Sequence, residues 1–205
     1  MFEVGHDQAA GLRARPTGSG PALMPVAAPA QPARAYEWLC TLAAHLTSMG
    51  REVVIADGST PEATTTRERR GTHLGLLHTL QDGSIAGLGA APDGHEWLVM
   101  PAAHGLQTLQ QTAQNAGAEV ALTRLLSPFS VDALVLLFAP APTLGGLLGG
   151  LNARALVPVL PQTQATLDAY AALKQLHLDS LTPVLAPLDP TDASGQSVQP
   201  VVDLS

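Results

Sequence analysis

The fold follows from residues 51–58, which read Arg-Glu-Val-Val-Ile-Ala-Asp-Gly. Two valines and an isoleucine stand together here, and glycines at positions 50 and 58 bound the stretch. A short β-branched run between turn-forming residues is typical of a strand that is buried on both faces of a sheet. The sequence therefore predicts a buried strand over residues 52–56.

A helix and another apolar segment precede this strand. Residues 33–49 carry apolar side chains at helical spacing, and Pro32 and Gly50 flank them at positions where helices commonly start and stop. Residues 22–28 form a short apolar segment ahead of that helix. Strand, helix and strand in this order predict a parallel βαβ unit.

The remainder of the core continues this alternation. It predicts an α/β fold with a doubly wound, mostly parallel sheet flanked by helices. The glycine-rich residues 145–150 are interpreted as a flexible or compact connection, since no lysine follows them as in a phosphate loop. The further predicted helices cover residues 74–81, 106–116 and 165–176, and the further predicted strands cover residues 97–100, 133–139, 155–160 and 183–186.

The chain divides into three parts. Residues 1–21 form an N-terminal arm and linker, because the Pro-Thr-Gly-Ser-Gly-Pro stretch at 16–21 breaks any regular element. Residues 22–188 form the α/β core. Residues 189–205 are rich in Asp, Ser, Gln and Pro, which predicts a flexible tail.

Composition argues against a nucleic-acid-binding protein. The net charge is −7 and only 3% of the residues are aromatic, so the basic and aromatic surface of such proteins is missing. The densest group of cations, Arg67, Arg69 and Arg70, is interrupted by Glu68. No segment approaches the run of about 18 apolar residues that spans a bilayer, and no signal peptide is recognisable. We therefore expect a cytoplasmic protein without stable membrane insertion.

Neither a metal site nor a hydrolase site is predicted. Cys40 is the only cysteine, so it forms no intramolecular disulfide and no CxxC motif, and we expect it on a buried helix face. His73 and His78 are five residues apart, which is the wrong offset for one helix face. The nucleophile-elbow pattern Gly-x-Ser-x-Gly does not occur.

Three stretches of the core resemble the MinD/ParA family of P-loop ATPases. Residues 51–58 are similar to that family's second strand, which ends in an acidic residue. Residues 76–85 with 97–102 are similar to its helix, polar turn and strand ending in Pro. Residues 156–171, which contain Thr-Leu-Asp-Ala-Tyr, are similar to its strand, Thr/Pro turn and following helix. The resemblance implies the P-loop NTPase fold.

The N-terminal arm resembles one branch of that family, the flagellar-number regulators of the FlhG (FleN) type. Residues 7–13 read Asp-Gln-Ala-Ala-Gly-Leu-Arg and match the DQAxxLR motif, which in that branch acts on the partner GTPase FlhF. The alternative interpretation is an ordinary amphipathic helix. If the resemblance holds, the partner-binding residues are Asp7, Gln8, Ala9, Leu12 and Arg13.

The residues that hold nucleotide in that family are not recognisable here. The turn that matches the phosphate loop, residues 28–34, contains neither glycine nor lysine, and Lys174, the chain's only lysine, lies in a late predicted helix. The family's magnesium-side aspartate falls near Leu137. Arg34 and Asp57 are the remaining nucleotide-binding candidates, although Arg34 also suits a solvated surface and Asp57 also suits a turn cap beside Gly58. We expect a pseudo-ATPase with no catalytic residues and no ATP or magnesium cofactor.

The leading hypothesis is a degenerate FlhG-like regulator of flagellar number or placement that acts on an FlhF-type GTPase. Its partner would recruit it to the cell pole. The alternatives are a weak ATPase that still binds ATP and a non-hydrolytic partner in another MinD-like system, such as cellulose secretion or septum placement. The polar tail has no basic amphipathic pattern like that of the helix by which the family binds membranes, so we do not expect membrane recruitment. A homodimer is possible, but we do not expect ATP to drive it.

Overall fold

The computed structural model of the chain describes residues 20–62, 75–82, 97–160 and 162–188. The predicted arm and most of its linker, residues 1–19, and the predicted tail, residues 189–205, lie outside these ranges. The strands are β1 (Ala22–Ala28), β2 (Glu52–Asp57), β3 (Leu98–Pro101), β4 (Ala133–Pro140), β5 (Arg154–Val159) and β6 (Thr182–Pro187), and the helices are α1 (Ala33–Ser48), α2 (Gly75–Asp82), α3 (Ala103–Ala116), α4 (Ala118–Leu126), α5 (Ala141–Leu148) and α6 (Thr163–Leu178).

The strands form one six-stranded sheet in the order β3-β2-β4-β1-β5-β6. Every pairing in it is parallel. The chain moves from β1 outward to β2 and β3 on one side, and from β4 across β1 to β5 and β6 on the other. The predicted doubly wound parallel sheet is therefore confirmed. In such sheets ligands bind beside the carboxyl ends of the strands, where the winding direction changes.

Strand β4 shows how the two faces of the sheet are filled. Its residues from Ala133 to Ala139 are all buried, and successive side chains point to opposite faces. Leu136 and Phe138 pack with α1, whereas Val135 and Leu137 pack among the helices of the other face. A strand covered on both faces has to be apolar at every position, which is why it reads as one continuous run.

The glycine-rich residues 145–150 correct one prediction. They include the second half of α5 and the turn after it, not a simple connection. A Cβ at Gly145 would collide with the side chain of Asp179, and one at Gly146 would lie 2.7 Å from Gln110 Nε2. Glycine costs a helix about 1 kcal/mol relative to alanine, so local propensity argues against a helix here. Glycine is nevertheless required at positions 145 and 146, because Asp179 and Gln110 come too close for a larger residue.

Helix α4, residues 118–126, was not predicted. It follows Gly117, whose φ of 96° is a conformation that favours glycine and separates α4 from α3. Buried Ala121 and Leu125 are its contacts with the core. Their spacing of four residues is helical, but over nine residues it is too short a signal to distinguish a helix from a loop.

Edge strand β6 is protected against pairing with another chain. The backbone N–H groups of Thr182 and Leu188 donate to the carbonyls of Ala153, just before β5, and of Val159, at its end. Since alternate N–H groups of a strand point to opposite sides, those at 183, 185 and 187 face outward. Pro183 and Pro187 occupy two of these positions and carry no N–H.

Among the described helices, none is both long and apolar enough to cross a membrane.

Candidate functional site

A cleft of about 700 Å³ opens at the carboxyl ends of the central strands, at the place where this sheet topology holds ligands. One wall comes from the end of β1 and the turn after it, and another from the start of α5. The third wall is the middle of α6, from Asp168 to Gln175. Representative lining residues are Ala28, Pro29, Gly58, Pro140, Val157 and Ala172.

The turn between β1 and α1 shapes the floor of this cleft. Pro32 is the N-cap of α1, and no side chain caps that helix end. The first hydrogen bond of the helix joins Tyr36 N–H to the Pro32 carbonyl at 2.8 Å. A phosphate loop binds its anion through consecutive backbone N–H groups, but Pro29 and Pro32 have none.

The cleft lining does not fit a triphosphate. Five of its residues are prolines, at positions 29, 32, 140, 142 and 158, and the described lining contains neither Lys nor Arg. Its one ionisable side chain, Asp168, is half-buried and accepts a hydrogen bond from the Gln164 amide at 2.9 Å. A phosphate group binds through cations and N–H donors, and a carboxylate repels the phosphate. The described residues therefore do not fit a magnesium nucleotide.

The cations named by the sequence lie away from this lining. Arg34 is exposed in the first turn of α1, and Lys174 is exposed on α6. Neither side chain borders the cleft, although Ala172 and Gln175 on the same helix as Lys174 do. The interpretation of Arg34 as a solvated surface residue agrees with this exposure.

Leu137 does not occupy a site where an aspartate would meet a ligand. It is fully buried and packs in the core between the sheet and the helices of the other face. The β4 residue that borders the cleft is Pro140, three positions further along the strand. The position that the sequence matched to the family's magnesium-side aspartate therefore lies in the core and not at the crevice.

Asp57, at the end of β2, closes a turn. One carboxylate oxygen accepts hydrogen bonds from Ser59 N–H at 2.9 Å and Ser59 Oγ at 2.6 Å. The other accepts a hydrogen bond from Thr60 Oγ1 at 2.7 Å. The side chain is buried, and these local donors engage both of its oxygens. The geometry is that of a turn cap.

A smaller cleft of about 460 Å³ lies on the other side of Pro32, and Tyr36 and Asp57 line it. The Tyr36 ring packs against Phe138 with its centroid 5.7 Å away and the planes tilted by 59°. Burial raises the pKa of the Tyr36 hydroxyl, and the nearby Cys40 and Asp57 raise it further. Burial also raises the pKa of the Cys40 thiol, so the thiol has no thiolate character at neutral pH.

Glu62 is a structural residue that the sequence did not indicate. Its carboxylate is buried and accepts the backbone N–H groups of His104 at 2.7 Å and Gly105 at 2.8 Å, in the first turn of α3. It also accepts Leu77 N–H of α2 at 3.2 Å, and the His104 ring nitrogen lies 3.3 Å away. One side chain therefore ties together two helix starts.

The beginning of α3 explains why Glu62 is needed. The N-cap residue is Ala102, which has no side chain able to accept a hydrogen bond from the first helical turn. Helix N-terminal N–H groups that are buried need a partner, and here the partner stands 42 residues earlier in the chain. This cap also lets α3 begin at Ala103, three residues before the predicted start.

Several candidates of the sequence lie outside the described residues. These include the motif residues Asp7, Gln8, Ala9, Leu12 and Arg13, and also His73. Within the described ranges, no group of three His, Cys, Asp or Glu side chains is placed to hold a metal ion.

No family model and no curated protein sequence matches the chain. Among solved structures, the kinase domain of the Escherichia coli tyrosine kinase ETK is similar, with a TM-score of 0.54 and 12% identity, over 93% of this chain and 76% of that one. A plasmid partition protein from Borrelia burgdorferi gives a TM-score of 0.48 and 15% identity, over 82% and 78%. The BceF tyrosine kinase domain gives 0.42 and 16%, over 80% and 67%.

At such low identity the likeness concerns the fold. The similarity to the ETK kinase domain, together with the parallel sheet order, shows a shared parallel α/β fold. The predicted fold class is confirmed at this level.

Proposed function

We propose that the chain is a non-hydrolysing regulator that retains the P-loop type fold and acts by protein interaction. The observation that carries this proposal is the lining of the 700 Å³ cleft, in which prolines and alanines occupy the place of a phosphate cradle. The described lining contains no Lys or Arg, so it supplies no cation to stabilise the charge that develops during phosphoryl transfer. The fold then serves to present other surfaces.

The partner in this proposal is an FlhF-type GTPase, and the contact is the N-terminal arm. Support comes from the motif at residues 7–13 and from its position ahead of the α/β core. Asp7 and Gln8 would act near the partner's nucleotide, Leu12 would anchor the arm, and Arg13 would supply a charge-assisted hydrogen bond. The biological role would be the control of flagellar number or placement.

We expect the full chain to raise GTP turnover by a purified FlhF-type GTPase about tenfold or more, since added groups that orient water or stabilise charge accelerate GTPases by up to ~10⁵-fold. The full-length Gln8→Ala variant should lose this increase. Gln111→Ala, at an exposed position of α3, is the matched control and should retain it. Equal turnover with wild type and Gln8→Ala would reject the proposed contact.

We also expect ATP and ADP with magnesium to leave the unfolding temperature unchanged. A ligand with Kd of ~50 µM present at ~5 mM would add ~2.7 kcal/mol of stability, so even weak binding would be visible. A thermal-shift series with and without magnesium makes the measurement. Stabilisation by ATP that depends on magnesium would favour the weak ATPase instead.

The genes adjacent to this one would distinguish a flagellar role from cellulose secretion or septum placement.

A further inference from the structure

The lining of the 700 Å³ cleft is mainly apolar. Its described walls are alanine, proline, valine and glycine, with Asp168, Gln175 and Ser59 as its only other side chains. Cavities of this size that are lined mainly by apolar groups and a few polar ones commonly bind ligands. The lining does not fit phosphate, and its apolar groups suit apolar side chains instead.

The surface beside the cleft is also apolar. On α6, Asp168, Ala171 and Ala172 line the cleft, and Leu167 and Tyr170 lie on the adjoining outer side of the same helix. Leu167 is 57% exposed and Tyr170 is 67% exposed. Large apolar side chains next to an apolar cleft, with Tyr among them, are typical of a protein interface.

The charge of the cleft lining favours a ligand with a basic side chain. The half-buried Asp168 is the ionisable group of the described lining, and the whole chain carries a net charge of −7. A basic side chain of a ligand would meet a carboxylate at the cleft and no described cation in its lining. An acidic side chain that entered the cleft would face the Asp168 carboxylate, since Lys174 of the same helix lies outside the lining.

We propose that this cleft and the Leu167–Tyr170 side of α6 bind a segment of a partner protein that carries apolar residues or prolines beside Arg or Lys. The apolar residues enter the cleft, where the Ala and Pro walls leave space, and the basic residue pairs with Asp168. The contact is separate from the proposed arm contact, and it holds whether or not the arm binds a GTPase. Strand addition at β6 is not its mode, because Pro183 and Pro187 remove outward N–H donors.

The test is a selection from a displayed library of random twelve-residue peptides on the full wild-type chain. Counter-selection uses the Ala171→Lys variant, which places a cation in the cleft lining. Ala171 is exposed on a helix, so lysine is compatible with the fold. We expect the recovered peptides to be enriched in Arg or Lys next to Leu, Val or Pro. Recovery of acidic sequences, of sequences without charge bias or of none would overturn the proposal.

Binding of one recovered peptide is then measured by fluorescence anisotropy on the full chain. Ala171→Lys should weaken it about tenfold, because a like charge in contact opposes the basic residue. Asp168→Asn should weaken the basic peptide and leave its Arg-to-Ala version unaffected. Gln111→Lys adds the same charge at an exposed site of α3 outside the lining and should have no effect.

Two results would contradict this assignment. The first is equal affinity of wild type and Ala171→Lys. The second is a concentration-dependent dimer of the free chain, seen by sedimentation, that Ala171→Lys abolishes, because a second copy would then be the occupant. Circular dichroism melts of each variant separate loss of binding from loss of folding.

Discussion

Replacing Leu137 with Asp should cost the protein about 5 kcal/mol or more of unfolding free energy, because it removes a buried leucine and leaves an unpaired charge in the core. Leu137 has no solvent exposure, and its neighbours in the core are apolar side chains of the sheet and the surrounding helices. Typical domains have only about 5–15 kcal/mol in total, so the variant should lose about a third or more of its stability. Urea denaturation followed by circular dichroism measures the loss.

Two further variants test whether burial of the charge at position 137 causes this loss of stability. Pro140→Asp places the same carboxylate at the exposed end of the same strand, beside the cleft, and should cost less than about 1 kcal/mol. Leu137→Met keeps the volume and should also cost little. Magnesium should restore neither stability nor structure to Leu137→Asp. Restoration by magnesium would show that position 137 faces a metal site after all.

Replacing Glu62 with Ala should destabilise the protein by about 3 kcal/mol, because it leaves the N–H groups of three residues without their acceptor. These groups belong to Leu77, His104 and Gly105, and the bonds to the last two are short. A charged acceptor at a helix N-terminus contributes favourable electrostatics in addition to the hydrogen bonds. The loss should appear as a lower urea midpoint with an unchanged slope.

Glu119→Ala is the matched control, since Glu119 is an exposed carboxylate in the first turn of α4. It should cost less than about 0.5 kcal/mol, as is usual for surface sites. Glu62→Gln keeps one acceptor oxygen and should lie between the two. If Glu62→Ala and Glu119→Ala lose equal stability, the buried carboxylate does not hold the two helices together.

Glu62 was missed because its role depends on residues far from it along the chain. Glu62 follows a polar turn and has no helix of its own to cap, so no local pattern marks it. Its partners at 104 and 105 are brought to it by the parallel pairing of β2 with β3, which ends both strands at the same edge. A poor N-cap at Ala102 was the one available signal, since it implies that another residue supplies the acceptor.

Helix α5 was missed because its local sequence argues against a helix. Gly145 and Gly146 lower its local helix propensity, and the reason for glycine appears only when Asp179 and Gln110 are in place. Helix α1 and strand β2 were predicted almost to the residue, because apolar spacing and flanking Pro or Gly carry their whole signal.

By itself, the sequence determined the α/β alternation and the parallel sheet, since these depend on apolar periods and on breakers along the chain. It also showed that Lys174 is the only lysine. Only the tertiary structure decided that Leu137 is core, that Pro140 borders the cleft and that Glu62 caps α3. Those assignments depend on where a strand ends and on which distant residues share its edge, and contacts between distant residues form only when the sheet assembles.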